Sequence, residues 1–222
     1  MTTRTDGSLF LSRLILDPRS PQVRSELGKP FQMHRTLWRA FPNAQEQGEG
    51  VGRILFRVDH DAQLELPVVL VQSVRAPDWS FLEGVKGYLA RGLDGVENPA
   101  IKSFSPQIES GRRLVFRLRA NPTVKRDGKR LGLLKEQDQL QWLARKGEAG
   151  GFRVEKARVI SERFTRDKKP EDGQLRPLSF FSALFEGILS VTDPARFRQT
   201  LVTGVGSGKG FGFGLLSLAR AG

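Results

Sequence analysis

The chain has 222 residues, 38% of them hydrophobic, and carries 36 Lys and Arg against 24 Asp and Glu, a net charge of +12. Cysteine is absent and only His34 and His60 are histidines, so disulfides, thiolate nucleophiles and cysteine or clustered-histidine metal sites are excluded. No apolar run approaches the ~18 residues that cross a bilayer, and the polar start Met1–Gly7 is no secretory signal, so a cytoplasmic protein without membrane attachment is expected.

Leu9–Leu16 reads as a strand ended by Asp17-Pro18, and Pro21–Gly28 as a helical turn. Pro30 suits the first position of a helix that runs to about Ala40. Phe31, His34, Leu37, Trp38 and Phe41 recur at helical spacing and share one face of it. Asn43–Gly52 is a polar, Gly-rich loop. Arg53–Val58 and Val68–Ser73 are two strands, Asp78–Arg91 a turn with a short weak helix, and Gly92–Ser110 a linker or edge strand. Arg112–Ala120 alternates, with Leu114, Phe116 and Leu118 on one face and Arg113, Arg117 and Arg119 on the other. A basic loop, Lys125–Arg130, comes next. Glu136–Lys146 is a helix with Leu140 and Leu143 inward. Phe152–Ile160 is a strand, Arg163–Gly173 a charged turn and Leu178–Val191 a long apolar strand. Asp193-Pro194 starts a helix to about Thr203. Gly204–Gly214 is a Gly-rich loop before a last strand, Leu215–Ala219.

From Arg112 onward the order is β-α-β-β-α-β, the ferredoxin-like pattern. The first half begins β-α-β-β and completes the same pattern weakly. The expected fold is therefore α+β, two tandem ferredoxin-like (RRM-like) domains, residues 1–100 and 101–222.

The charge is not evenly spread. Residues 1–100 hold 12 basic and 12 acidic side chains, whereas residues 101–170 hold 19 and 8. Arg outnumbers Lys 25 to 11, and its planar fork suits phosphates and base edges. A localised, Arg-rich excess is the footprint of a nucleic-acid contact surface; a solvated charged face is the alternative.

Two features bear on chemistry. The run Gly204–Gly214 resembles a phosphate-binding loop but fails its register: Thr203 stands where the first Gly is required, and Gly210 follows Lys209 in place of Ser or Thr. Its backbone amides could still approach a phosphate, or the loop could be a packed connection. An enzyme that transfers phosphate through this loop would bind nucleotide and need Mg²⁺. His34, beside Arg35 and Arg39, could be held neutral and act as a general base, or be a packed or capping histidine.

Four ordered blocks then carry a resemblance: Phe31-Gln32-Met33-His34-Arg35-Thr36-Leu37-Trp38, Val68–Ser73, Phe116–Pro122, and Gly204–Leu218 preceded by Leu184-Phe185-Glu186-Gly187. Together they resemble the CRISPR-associated endoribonucleases of the CasE type, which process guide RNA. The resemblance implies two ferredoxin-like domains, binding of a CRISPR repeat RNA hairpin, and cleavage at the base of its stem without metal or other cofactor. It implies His34 as catalytic residue with Arg35 and Arg39 nearby. It also implies a basic hairpin at about Arg153–Gly173 that enters the RNA major groove. The RNA contacts expected are Lys29, Arg117, Arg119, Lys125, Arg126, Lys129, Arg130, Arg158, Arg163, Arg166, Lys168 and Lys169, with Gly206, Gly208 and Lys209 of the Gly-rich loop. Other subunits of a Cascade-type complex are the implied protein partners. Many members carry a Tyr where this sequence has Phe31, and Lys29 and Tyr88 are candidates for its role. A non-catalytic RNA-binding subunit is the rival reading.

Overall fold

The computed structural model describes residues 8–41, 53–171 and 174–221, so the expected loop Asn43–Gly52 lies outside the described residues. The chain forms two compact units, Met1–Gln107 and Ile108–Gly222.

In the first unit, strand β1 (Leu9–Ile15) leads through helices α1 (Pro21–Gly28) and α2 (Pro30–Trp38) to β2 (Leu55–Asp61) and β3 (Leu66–Ser73). A 3₁₀ turn at Ser80–Gly84 then precedes β4 (Ala100–Phe104). The sheet is antiparallel in the order β2-β3-β1-β4, which is the ferredoxin-like arrangement with its second helix reduced to one turn. Gly84 and Gly87 explain the reduction, because glycine is a poor helix former. α2 has Pro30 at its first position and buries Met33 and Leu37, one turn apart. These pack with Leu14, Phe56, Val69, Val71, Val23 and Tyr88 into the core on the helical side of the sheet. β4 corrects the expected boundary. Its residues Ala100–Phe104 pair with β1, so the cut at 100/101 would split a strand, and the division falls after Gln107.

The second unit runs β5 (Arg113–Ala120), β6 (Thr123–Arg126), β7 (Lys129–Gly132), α3 (Glu136–Ala149), β8 (Phe152–Glu171), β9 (Gln174–Val191), α4 (Pro194–Thr203) and β10 (Leu216–Arg220). Its main sheet has the order β10-β5-β9-β8, the same arrangement again. The alternation read in β5 holds: Leu114, Phe116, Leu118 and Ala120 are buried. Trp142 of α3 stacks on Phe185 at 6.4 Å, and Phe197 of α4 meets Phe152 edge-on at 5.5 Å. On α3, Trp142 and Leu143 are the fully inward pair and Leu140 is half-buried. Asp193 caps α4 by accepting from the Arg196 N–H at 3.0 Å.

Two sequence expectations change here. Lys125–Arg130 is not a loop but the end of a two-stranded hairpin, β6–β7. Asp127 and Gly128 both have positive φ, 49° and 75°, and such a two-residue turn matches the twist of the strands it joins. Arg163–Gly173 is not a turn either. β8 continues to Glu171 and pairs with β9 throughout. Since β5 reaches only Ala183 on β9, Arg163–Glu171 and Gln174–Ser182 form a two-stranded arm, about 30 Å long at roughly 3.3 Å per residue.

Candidate active site and nucleic-acid interface

His34 sits midway along α2, half-buried among rings. Phe31 lies one turn before it at 6.2 Å and 19°, Trp38 one turn after it at 5.7 Å, and Phe56 of β2 at 6.2 Å. Burial lowers the imidazole pKa from its ordinary 6.5, because an apolar setting disfavours the charged ring. The sequence reading credited neighbouring cations with this effect; the cause is desolvation.

Arg35 and Arg39 are both exposed and lie one turn apart, so they share a helix face. At 3.6 residues per turn that face is about 100–140° round from His34. The Arg39 guanidinium lies over the Phe81 ring at 4.4 Å, a cation–π contact that holds it beside the site. Lys29 is exposed at the cap of α2. Tyr88 does not fill the place left by Phe31. It is fully buried, its hydroxyl donates to Glu26 Oε2 at 2.6 Å, and burial beside that carboxylate pushes its pKa far above 10. His60 is exposed at the end of β2.

In the second unit the predicted RNA contacts divide between the two sides of the sheet. Arg117 Nη1 reaches Glu186 Oε1 at 3.2 Å and Arg158 Nη2 reaches Glu186 Oε2 at 3.5 Å, in a row across β5, β9 and β8. Arg119 donates to Ser161 Oγ at 3.4 Å. These point away from the buried face of β5, and the register puts Arg163 on their side. Arg166 is on the other side. Gln139 of α3 donates to Glu162 Oε1 at 2.5 Å, so Glu162 faces the helices, and Phe164 and Arg166 follow it at alternate positions. Phe164 is 56% exposed with the Arg166 guanidinium 5.3 Å above its ring. Phe181, the partner of Phe164 in β9, faces the β6–β7 hairpin at Gly132, where a Cβ would come within 3.3 Å of it. The exposed side chains of Lys125, Arg126 and Arg130 thus project from a hairpin on the helical side. Lys129, Lys168 and Lys169 are on described backbone, but their side chains lie outside the described residues.

The Gly-rich segment is a built connection. Gly204, Gly206, Gly208, Gly212 and Gly214 all have positive φ. A Cβ at Gly206 would meet the Trp142 ring at 2.9 Å, and Gly214 approaches the backbone of Val205. Lys209, half-buried, turns its ammonium back to the Gly206 carbonyl at 2.6 Å. Among the described residues no group of three or more His, Asp or Glu is placed to hold a metal ion, and no helix is long and apolar enough to cross a membrane.

The sequence reading missed Glu26, Phe56 and Phe81 at the first site and Glu186 at the second. Glu26 comes from the preceding helix and the others from elements further along the chain, and only tertiary packing reveals them. The Asp127-Gly128 turn between short strands was a local signal for the β6–β7 hairpin.

A model of the family described as "CRISPR associated protein" matches residues 9–220. The chain belongs to that family. It is 40% identical over 221 residues to the CRISPR-associated endoribonuclease Cse3 of Thermus thermophilus, covering 95% of this chain and all of the relative. It is 34% identical over 228 residues to the Cascade subunit CasE of Escherichia coli, covering 95% and 99%. Its fold superposes on Thermus thermophilus Cse3 bound to an RNA representing a pre-cleavage complex, with a TM-score of 0.82 at 38% identity, over 96% of this chain and all of that one. Both domains are thus ferredoxin-like, as the strand orders require.

Proposed function

We propose that this chain is an endoribonuclease that binds the hairpin of a CRISPR repeat transcript and cleaves it at the base of the stem without a metal ion. The observation that carries the reading is His34, disfavoured as a cation by the aromatic rings around it on α2, in a chain 40% identical to a named CRISPR endoribonuclease. RNA brings its own nucleophile. His34 takes the proton of a 2′-OH and that oxygen attacks the adjacent phosphorus; the P–O5′ bond breaks and the 5′-oxygen takes a proton from water, so a 2′,3′-cyclic phosphate and a 5′-hydroxyl result. Arg35 and Arg39 offset the charge that grows on the equatorial oxygens. Phe31 has no hydroxyl and contributes only apolar cover to the imidazole.

Grip on the RNA comes from the helical side of the second unit. Lys125, Arg126 and Arg130 on the β6–β7 hairpin and Arg166 on the β8–β9 arm share that side, whereas Glu186 engages Arg117 and Arg158 on the other. The product stays bound, and the protein joins the other subunits of a Cascade-type complex in the cytoplasm, where transcripts are made.

The test is cleavage of cognate repeat RNA in excess EDTA. His34→Ala should slow it by about 10²–10⁴-fold, the worth of one general base, while RNA affinity is retained. Cleavage by His34→Ala at the native rate would refute the mechanism. Tight binding by the native chain with no cleavage at all would leave the non-catalytic RNA-binding subunit as the answer.

A further inference from the structure

Glu26 is a carboxylate in the interior of the first unit, 4% exposed. Three donors from separate places converge on it: the Tyr88 hydroxyl to Oε2 at 2.6 Å, the Thr36 hydroxyl to Oε1 at 2.7 Å, and Gln22 Nε2 to Oε1 at 2.8 Å. Gln22 shares α1 with it, Thr36 belongs to α2, and Tyr88 follows the 3₁₀ turn. All three donors are neutral. Burying a carboxylate is unfavourable unless its lone pairs are satisfied, and an apolar residue would serve stability as well or better. A carboxylate retained here is better explained by the direction of its hydrogen bonds than by its contribution to the core.

Thr36 lies two residues beyond His34, roughly 160° round the helix at about 100° per residue. The carboxylate therefore holds the back of α2 while the front presents His34. Met33 and Leu37 also pack against the core, but apolar contacts are non-directional and tolerate sliding and rotation. A short hydrogen bond to a fixed carboxylate does not. We infer that Glu26, Thr36 and Tyr88 are positioning residues, which set the rotation and height of α2 and so the place of His34 against the scissile phosphate. The inference rests on the proposed catalytic role of His34.

A misplacement of 1 Å in a group that must meet a reacting atom can lower the rate about 10²-fold. The experiment compares Thr36→Val, which keeps the shape and removes the donor, with Thr36→Ser, which keeps the donor. Tyr88→Phe tests the second hydroxyl. Each is measured for single-turnover cleavage of repeat RNA, for RNA affinity, and for its urea midpoint. Thr36→Val and Tyr88→Phe should cleave at least ~10-fold slower with unchanged affinity, and Thr36→Ser should keep the native rate. In the double variant Thr36→Val/Tyr88→Phe the losses should fall short of their product, because both donors act through one carboxylate. Equal rates for the Val and Ser variants would overturn the inference, as would a rate loss matched by an equal loss of affinity. His34→Ala, run alongside, separates the two readings. If it cleaves normally, the catalytic reading is wrong. If it is inactive while Thr36→Val is not, only the positioning role is wrong.

Discussion

Replacing Gly187 by Ala should strongly destabilise the second unit. Gly187 lies on β9 opposite Ala157, beside the irregularity between Val154 and Lys156. A Cβ there would overlap the carbonyl oxygen of Lys156 and stand 2.8 Å from Ala157 Cα. Both obstacles are backbone, so no rotamer change relieves them; β8 and β9 must separate by an ångström or more. That breaks one or two ladder hydrogen bonds at about 0.5–1.5 kcal/mol each, and strain of this kind adds about 1–3 kcal/mol. A loss of about 1.5–6 kcal/mol follows from those two terms, against a typical total of about 5–15. Urea denaturation should show the midpoint falling by about 1 M or more, since slopes for small proteins are about 1–3 kcal/mol/M. RNA binding should fall with it, because the same two strands run on into the basic arm. The control is Gly28→Ala at the end of α1, where a Cβ meets nothing within 4 Å; its midpoint should stay level or rise slightly. If Gly187→Ala unfolds at the native midpoint, the packing argument is wrong.

Because burial depresses the His34 pKa and the neutral ring is the proposed base, kcat/KM should fall on the acid side only below pH 6.5. Trp38→Leu removes a ring 5.7 Å from the imidazole and should move that acid limb up toward 6.5; an unmoved limb would refute burial as the cause. The same shift makes folding less favourable as pH falls from 6.5 through the lowered pKa, since the unfolded chain then binds the proton more readily. On the second unit, Arg126→Gln and Arg130→Gln should each weaken RNA binding across sequences and reduce the salt slope of log K by about 1. Arg117→Gln, on the other side of the sheet, should leave that slope unchanged, and equal slopes for all three would contradict the proposed interface.

The ferredoxin-like pattern was legible because its strands alternate cleanly and its helices carry their own start signals. β5 reads Leu114-Val115-Phe116-Arg117-Leu118, and the Asp193-Pro194 start of α4 is confirmed by a real cap. The β8–β9 arm was legible only through the resemblance, which implies a basic hairpin at about Arg153–Gly173, and not from residue pattern. In Arg163-Phe164-Thr165-Arg166 the one apolar residue, Phe164, is exposed, so no apolar alternation marks a strand, and charge alone reads as a turn. The domain boundary failed for a related reason. β4 is an edge strand whose Ile101, Lys102 and Ser103 are exposed, and an edge held mainly by backbone pairing leaves little trace in side-chain pattern. At the candidate active site the helix was legible and its setting was not. His34 and the aromatic residues one turn either side could be read from spacing. Phe56 and Phe81 reach α2 from later elements, and Glu26 meets it through the packing of α1 on α2, which spacing along the chain does not show.

The placing of charge has a consequence for how binding and chemistry are coupled. The first hundred residues are electrically balanced and the next seventy hold nearly all of the excess. Had the imidazole been kept neutral by adjacent cations, anything that altered the cations, an arriving phosphate included, would also have altered the base. Desolvation by Phe31, Trp38 and Phe56 avoids that dependence. With the RNA grip proposed for the second unit, polyanion binding can vary with salt and RNA sequence there while apolar packing in the first unit sets the protonation preference of His34. In the proposed mechanism the contribution of Arg35 and Arg39 is then confined to the transition state, where negative charge develops and where charge stabilisation raises the rate most. The buried carboxylate behind α2 fits the same division: under the proposed positioning role, its hydrogen bond to Thr36 gives direction to the helix that carries His34, from the side away from the imidazole.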